Sequence, residues 1–330
     1  MNRQHFIRWL AFEMPAFLLM LALAGGVWEA LRSHWRRIGA SPGAHLDPLR
    51  KIHLPAFLGP PAAAIAFIVP LLSVWSIATT DGYSAFGLFP WSDAGGYYLG
   101  AEDLLREGRL PAWNCRRPLT TVLLAVELAV AGHDIQAVQL LQAVLMGLAA
   151  YALARVVGRD LGWPSGLSVF AILYAFSRKS VHWLSSEWLG LTIGSLGFAL
   201  LWLGSRSGRK AVYWWGMVVL TLALNARAGA FLVLPALVLW SGFANRDKGW
   251  IRWGMAALSV GGILLGFLVN GSIMKIYGNR SGFGHQNFSL TLYGLASGEP
   301  GWARIYQDFP ETGKMTEDAL NDFAYRKSYE

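Results

Sequence analysis

Asp93 and Tyr97 stand four residues apart, so on a helix they place a carboxylate and a phenol on one face. A carboxylate within hydrogen-bond reach of a hydroxyl or an amine can take its proton. Glu187 is a second carboxylate of this kind, in Ser185-Ser186-Glu187-Trp188-Leu189. Basic side chains flank the same apolar segments: Arg116, Arg117, Arg178, Lys179, Arg227 and Arg280. The planar fork of arginine donates in parallel, which suits phosphate. Arg227 lies in Asn225-Ala226-Arg227-Ala228-Gly229, a turn between two apolar runs with nothing beside it in sequence to neutralise it. Each has a plainer reading. Ser92 can cap a helix whose dipole Asp93 complements. Glu187 can be an ordinary boundary carboxylate, and the cations can contact membrane lipid headgroups.

The elements that must position these residues are apolar. The chain has 330 residues, 54% hydrophobic and 15% charged, against about a quarter charged in soluble domains. Runs of bilayer length fall at 14–31, 54–78, 134–156, 187–204 and 251–273, with shorter ones at 163–177, 211–225 and 228–243. The fold class expected is therefore all-α, a polytopic transmembrane helical bundle. The stretch 118–132 begins at Pro118, contains Glu127 and reads as an interfacial helix lying along the membrane. A further short amphipathic helix is expected to open at Ser92 or Asp93, with Leu99, Leu104 and Leu105 on its apolar side. The single cysteine, Cys115, rules out an internal disulfide and a four-cysteine metal site.

Loops 32–53, 155–162, 204–211 and 244–252 are rich in arginine and lysine, whereas 178–186 and 226–227 hold only Arg178, Lys179 and Arg227. The basic set belongs in the cytoplasm. The alternation holds only if 118–132 does not cross. The net charge of +8 is then loop charge, not a nucleic-acid surface, and no nucleic-acid partner is expected. Asp81, Asp93, Glu102, Asp103, Glu107, Glu127, Asp134 and Glu187 all fall outside or at the outer boundary. Carboxylates held at a membrane surface point to a site. Three parts follow: 1–53, an extra N-terminal span and cytoplasmic loop; 54–273, a transmembrane module with outer loop 79–133; and 274–330, an outer-face segment. A rival reading makes Leu21-Ala22-Leu23-Ala24-Gly25 a signal-peptide cleavage site, which would invert every later loop; Glu13 interrupts the region before it.

The order of these features resembles the GT-C superfamily of membrane glycosyltransferases, in the style of its protein mannosyltransferase and aminoarabinose transferase branch. The resemblance covers about 54–300. It rests on a span leading into a large outer loop, the Asp93-to-Tyr97 helix, the segment Arg116-Arg117-Pro118-Leu119 opening an interfacial helix, and the acidic turn at Glu187. It departs where Asp93 is followed by Ala94 instead of a second acid. Family members usually continue beyond this length, so the polar ending at Glu330 is expected to mark a short form or an incomplete product.

The resemblance implies a polyprenyl-phosphate sugar donor, an extracytoplasmic acceptor, and a home in the inner membrane with the active site on its periplasmic face. It makes Asp93 the general base and Glu187 a second catalytic group, orienting the acceptor or sharing the role. Tyr97 and the six basic residues then bind donor phosphate or substrate. A divalent metal ion is the one cofactor to weigh. His133-Asp134, His182 with Glu187, and His285 face outward, but no pair has diagnostic ligand spacing. Trp91, Trp113, Trp183 and Trp188 are candidates for stacking on a sugar ring or, more simply, for an interfacial belt. The glycine-rich segment 277–287 is a candidate flap. A transporter of lipid-linked precursors and a non-catalytic membrane subunit are the competing readings. The first favours polar groups at mid-membrane, and the second leaves Asp93 and Glu187 far apart.

Overall fold

The computed structural model describes residues 59–227, 233–244, 252–278, 287–298 and 301–330. The expected span 14–31, the cytoplasmic loop 32–53, the cleavage-site reading, Arg280 and His285 lie outside the described residues. What is described is all-α apart from a two-residue ribbon, β1 (Ser84–Ala85) paired antiparallel with β2 (Phe89–Pro90).

Among the described residues, four helices are long and apolar enough to cross a membrane: α1 (Gly59–Ile77), α4 (Ile135–Leu161), α6 (Ser186–Ser207) and α9 (Trp253–Tyr277). Between α1 and α4 run α2 (Ser92–Glu107), a 3₁₀ turn (Ala112–Arg116) and α3 (Pro118–Val130). The helices α5 (Trp163–Ser177), α7 (Lys210–Ala226) and α8 (Val233–Ala244) are shorter. After α9 come α10 (Asn287–Ala296), α11 (Arg304–Asp308) and α12 (Glu317–Tyr329). Helix starts and stops follow local chemistry. Pro118 occupies the first turn of α3, where its missing N–H is no loss. Asp134 caps α4 by accepting from the Ala137 N–H at 3.1 Å. Gly108 ends α2 with φ of 69°, a left-handed conformation that favours glycine.

Three apolar cores hold the main body. Phe67 of α1 is fully buried and meets Phe170, Tyr174 and Trp188 edge-on, joining α1, α4, α5 and α6. Tyr97, Ala101 and Leu104 of α2 pack with Leu124 and Leu128 of α3 and with Val138 of α4. Leu201, Tyr213, Met217, Leu220 and Met255 join α6, α7 and α9. The α6–α7 contact is the most extensive among the described helices. Gly190, Gly197 and Gly204 recur every seven residues on α6, and an added Cβ would sit 2.6 Å from Arg227 Cβ, 2.7 Å from Leu220 N and 2.2 Å from Tyr213 N. Small residues allow this backbone approach, which is how helices associate where lipid removes most of the hydrophobic drive.

The C-terminal segment differs from the expected polar stretch. Leu290, Tyr293, Ile305, Leu320 and Ala324 make a separate core, edged by Tyr306, Phe309, Met315 and Phe323. Tyr293 donates to Asp308 Oδ2 at 2.7 Å, and Arg304 Nε reaches the same oxygen at 2.8 Å. Helices α10, α11 and α12 thus form a small folded cap.

Candidate functional site

The position before α2 is Trp91, which makes no side-chain cap; Ser92 is inside the helix with φ of 53°. The capping reading of Ser92 is therefore corrected. Asp93 remains in the first turn, where its charge complements the helix dipole. Tyr97, one turn on, is 3% exposed. Gly96 and Gly100 let α2 press on the 3₁₀ turn: an added Cβ at Gly100 would lie 2.2 Å from the Asn114 amide. Asn114 Nδ2 donates to Gly96 O and to Thr121 Oγ1, both at 3.1 Å. That clamp fixes the turn carrying Arg116 and Arg117 against the helix carrying Asp93.

Arg117 precedes Pro118, and its Nη1 donates to the Tyr97 hydroxyl at 2.8 Å and to Ser186 Oγ at 2.9 Å. Ser186 in turn donates to Glu187 Oε2 at 3.3 Å. Glu187 Oε1 pairs with Arg227 Nη2 at 2.9 Å. Arg227 follows the end of α7, and Thr120 of α3 donates to the adjacent Ala226 carbonyl at 2.6 Å. One polar chain therefore runs from α2 through the start of α3 to the facing ends of α6 and α7. The expectation that nothing neutralises Arg227 is corrected: its partner is Glu187, forty residues earlier and invisible to local sequence. Burial pushes the Tyr97 phenol above its ordinary value, against smaller opposing pulls from Arg117 and Ser186, so it stands as a neutral O–H.

These groups face a cavity of about 480 Å³. Asp93, Tyr97, Arg116, Arg117, Glu187 and Arg227 all line it, with Tyr83 and Trp113 beside them. Arg178 and Lys179 do not; Arg178 ends α5 beside Tyr174, and its Nε and Nη1 are buried without a hydrogen-bond partner among the described residues. The two carboxylates differ. Glu187 is committed to Arg227 and Ser186, whereas Asp93 is exposed and makes no hydrogen bond or ion pair among the described residues. Arg117 is unlike Arg227, because both of its hydrogen-bond partners are neutral hydroxyls. The cavity thus presents an uncommitted carboxylate and a guanidinium whose charge no ion pair answers among the described residues. Such a pair can take a proton at one end and hold an anion at the other.

The remaining expectations separate cleanly. Trp113 lines the cavity and tilts over Tyr97, ring centroids 5.0 Å apart. Trp188 is a core residue, and Trp91 is exposed outside the cavity lining. Trp183 instead donates to Asp81 Oδ2 at 2.8 Å, and its ring lies 4.3 Å from that of Tyr83. His182 Nε2 bonds the same Asp81 oxygen at 3.0 Å, and His133 bonds Glu102. His182 and Glu187 thus have separate partners. No group of three or more His, Cys, Asp or Glu converges in a way that could hold a metal ion among the described residues.

Sequence reasoning missed one wall. Leu290, Thr291, Trp302, Tyr306, Leu320 and Asn321 of the cap also line the cavity. The apolar periodicity of Leu290-Tyr293 and Leu320-Phe323-Ala324, after a capping Thr316, was the available signal. Comparisons with protein-family models, curated proteins and solved structures find no match to this chain.

Proposed function

We propose that this chain is a polytopic membrane glycosyltransferase of GT-C type, moving a sugar from a polyprenyl-phosphate donor to an extracytoplasmic acceptor. One observation carries the reading: an uncommitted carboxylate, Asp93, and an ion-pair-free guanidinium, Arg117, face one cavity in a body built around membrane-length helices. The motif order in sequence supports it, as does the convergence of Asp93 with Glu187, which a non-catalytic subunit has no reason to maintain.

In this reading the acceptor hydroxyl or amine attacks the anomeric carbon of the donor. Its new bond to that carbon forms as the bond from carbon to phosphate oxygen breaks. Asp93 takes the acceptor proton, and the bond electrons leave with the lipid phosphate. Arg117, with Arg116 beside it, stabilises the charge gathering there. Glu187 holds Arg227 in place instead of acting as a second base. The enzyme belongs in the inner membrane with this cavity on the extracytoplasmic side.

The test is transfer of radiolabelled sugar from a panel of polyprenyl-phosphate donors, comparing membranes that hold the intact chain with membranes that hold Asp93→Asn. A loss of about 100-fold or more at equal protein level is expected. Equal transfer by both removes Asp93 from the chemistry.

A further inference from the structure

The cavity has two unlike walls. Among the described residues, the wall from the membrane-length body carries the cavity's charge: Asp93, Glu187 and three arginines. Among the described residues, the wall from the C-terminal cap carries none. It offers an indole, a phenol, an amide, a hydroxyl and two leucine side chains. That is the chemistry of an uncharged polyol site. The C–H face of a sugar ring stacks on an aromatic, while hydroxyl and amide groups meet its oxygens.

Trp302 is the more exposed of this wall's two aromatics. It is 61% exposed although it belongs to a folded unit with its own core, and it meets Tyr306 edge-on with centroids 6.1 Å apart. Tyr306 is anchored against that core, and the Arg304–Asp308–Tyr293 contacts lock the short helix that bears it. Asn321 is oriented by the Ser289 hydroxyl, which donates to its Oδ1. The aromatic pair is therefore a preformed surface presented to the cavity, so a ligand spends little ordering entropy on it.

We propose that the C-terminal cap is the sugar-recognition half of the site, with Trp302 as its stacking platform. A lipid-phosphate sugar then lies with its phosphate on the arginine wall and its ring on the cap. This rests on the glycosyl-transfer reading. Trp302 sets discrimination between sugar-bearing and bare lipid phosphate, and takes no part in proton transfer.

The experiment is binding, not turnover. The full chain in detergent is dialysed to equilibrium against tritiated farnesyl phosphate and against farnesyl-phosphoryl mannose and glucose. The wild-type chain is expected to hold at least one sugar-bearing probe more tightly than the bare phosphate. Trp302→Ala weakens that probe about 3- to 10-fold, equivalent to about 0.6–1.4 kcal/mol, and leaves bare farnesyl phosphate unchanged. Trp302→Phe retains most of the preference, which separates stacking from a folding defect. If Trp302→Ala weakens both kinds of probe equally, Trp302 is a membrane-interface anchor and the inference fails. It also fails alone if the wild type binds both kinds and the variant changes neither. A wild type that binds no probe overturns the inference together with the lipid-phosphate reading beneath it.

Discussion

Asp81 and Asp93 sit twelve residues apart in the same connection between α1 and α4, and the fold treats them in opposite ways. Asp81 accepts from the backbone N–H groups of Tyr83 at 2.8 Å and Ser84 at 2.9 Å, and from the side chains of Trp183 and His182. Burial alone would raise its pKa, but these donors and the nearby imidazole outweigh burial and hold it below its ordinary value. Asp93 has none of those partners and faces the cavity. A carboxylate whose lone pairs are already filled is a fastener. One whose lone pairs accept no hydrogen bond among the described residues, in a cavity also lined by guanidinium groups, is free to accept a proton. The two ends of one loop thus differ: 79–91 ties the loop to the α5–α6 turn, and the start of α2 presents to the cavity the carboxylate proposed as the base.

The largest expected effect separates them. Asp93→Asn should cost about 100-fold or more in transfer while changing urea or thermal unfolding by no more than about 1 kcal/mol, since among the described residues it loses no hydrogen bond or ion pair, only the charge that complements the α2 dipole. Asp81→Asn should do the reverse. It exchanges charge-assisted bonds for neutral ones and destabilises by about 1–2 kcal/mol, discounted for the partial exposure of the group. Transfer per folded molecule should fall only a few-fold. If Asp81→Asn abolishes transfer at unchanged stability, the division of labour is wrong.

Acid should loosen the same fastener. His182 is 2% exposed, and its Nδ1 is buried without a hydrogen-bond partner among the described residues. Burial lowers its pKa from 6.5, and the opposing pull of Asp81 does not restore it. The unfolded chain therefore takes up the His182 proton first as pH falls below 6.5. Asp81 acts in the same sense below 3.8, because its folded value is also depressed. Both groups bind protons more readily when unfolded, so stability is present at neutral pH and erodes toward acid. The His182 part amounts to at most about 1.4 kcal/mol per pH unit while the difference of one proton lasts. Hydrogen exchange at the Tyr83 and Ser84 amides, corrected for intrinsic rates, should show less protection at pH 5 than at pH 7.5. Protection independent of pH would mean that the imidazole is not part of the fastener.

Much of the scaffold was legible because helix boundaries are local. Pro118, the Gly162-Trp163-Pro164 break and Gly208 mark ends that apolar length had already suggested. The shared face of Asp93 and Tyr97 was legible for the same reason. Pairings across the chain were not. Asp81 meets a histidine 101 residues later, and Glu187 meets Arg227 only because glycines on α6 admit α7. The seven-residue recurrence of those glycines was visible, but it names a contact face and not a partner. Arg178 and Lys179 show the limit of topology: residues expected on one side of a membrane need not line one cavity. The cap was misjudged for a compositional reason. Its charges are dense enough to mask a short apolar stripe whose core is only a few side chains.

Glu187→Gln should give the smallest effect and the sharpest reading of the second carboxylate. The Glu187–Arg227 pair is partly open to water, with side chains 30% and 42% exposed, so its loss should change stability by no more than about 1 kcal/mol. Glutamine keeps an oxygen that can still accept from Arg227 and an amide in place of the other. If Glu187 only holds Arg227, kcat should fall no more than a few-fold and KM should rise modestly, because Arg227 is less well fixed at the cavity. The pH profile of transfer should keep its shape, since Asp93 remains the group that takes the proton. A loss in kcat as deep as that of Asp93→Asn, or a lost limb of the pH profile, would instead make Glu187 a second proton carrier. Its ion pair with Arg227 would then be a resting arrangement that the substrate opens.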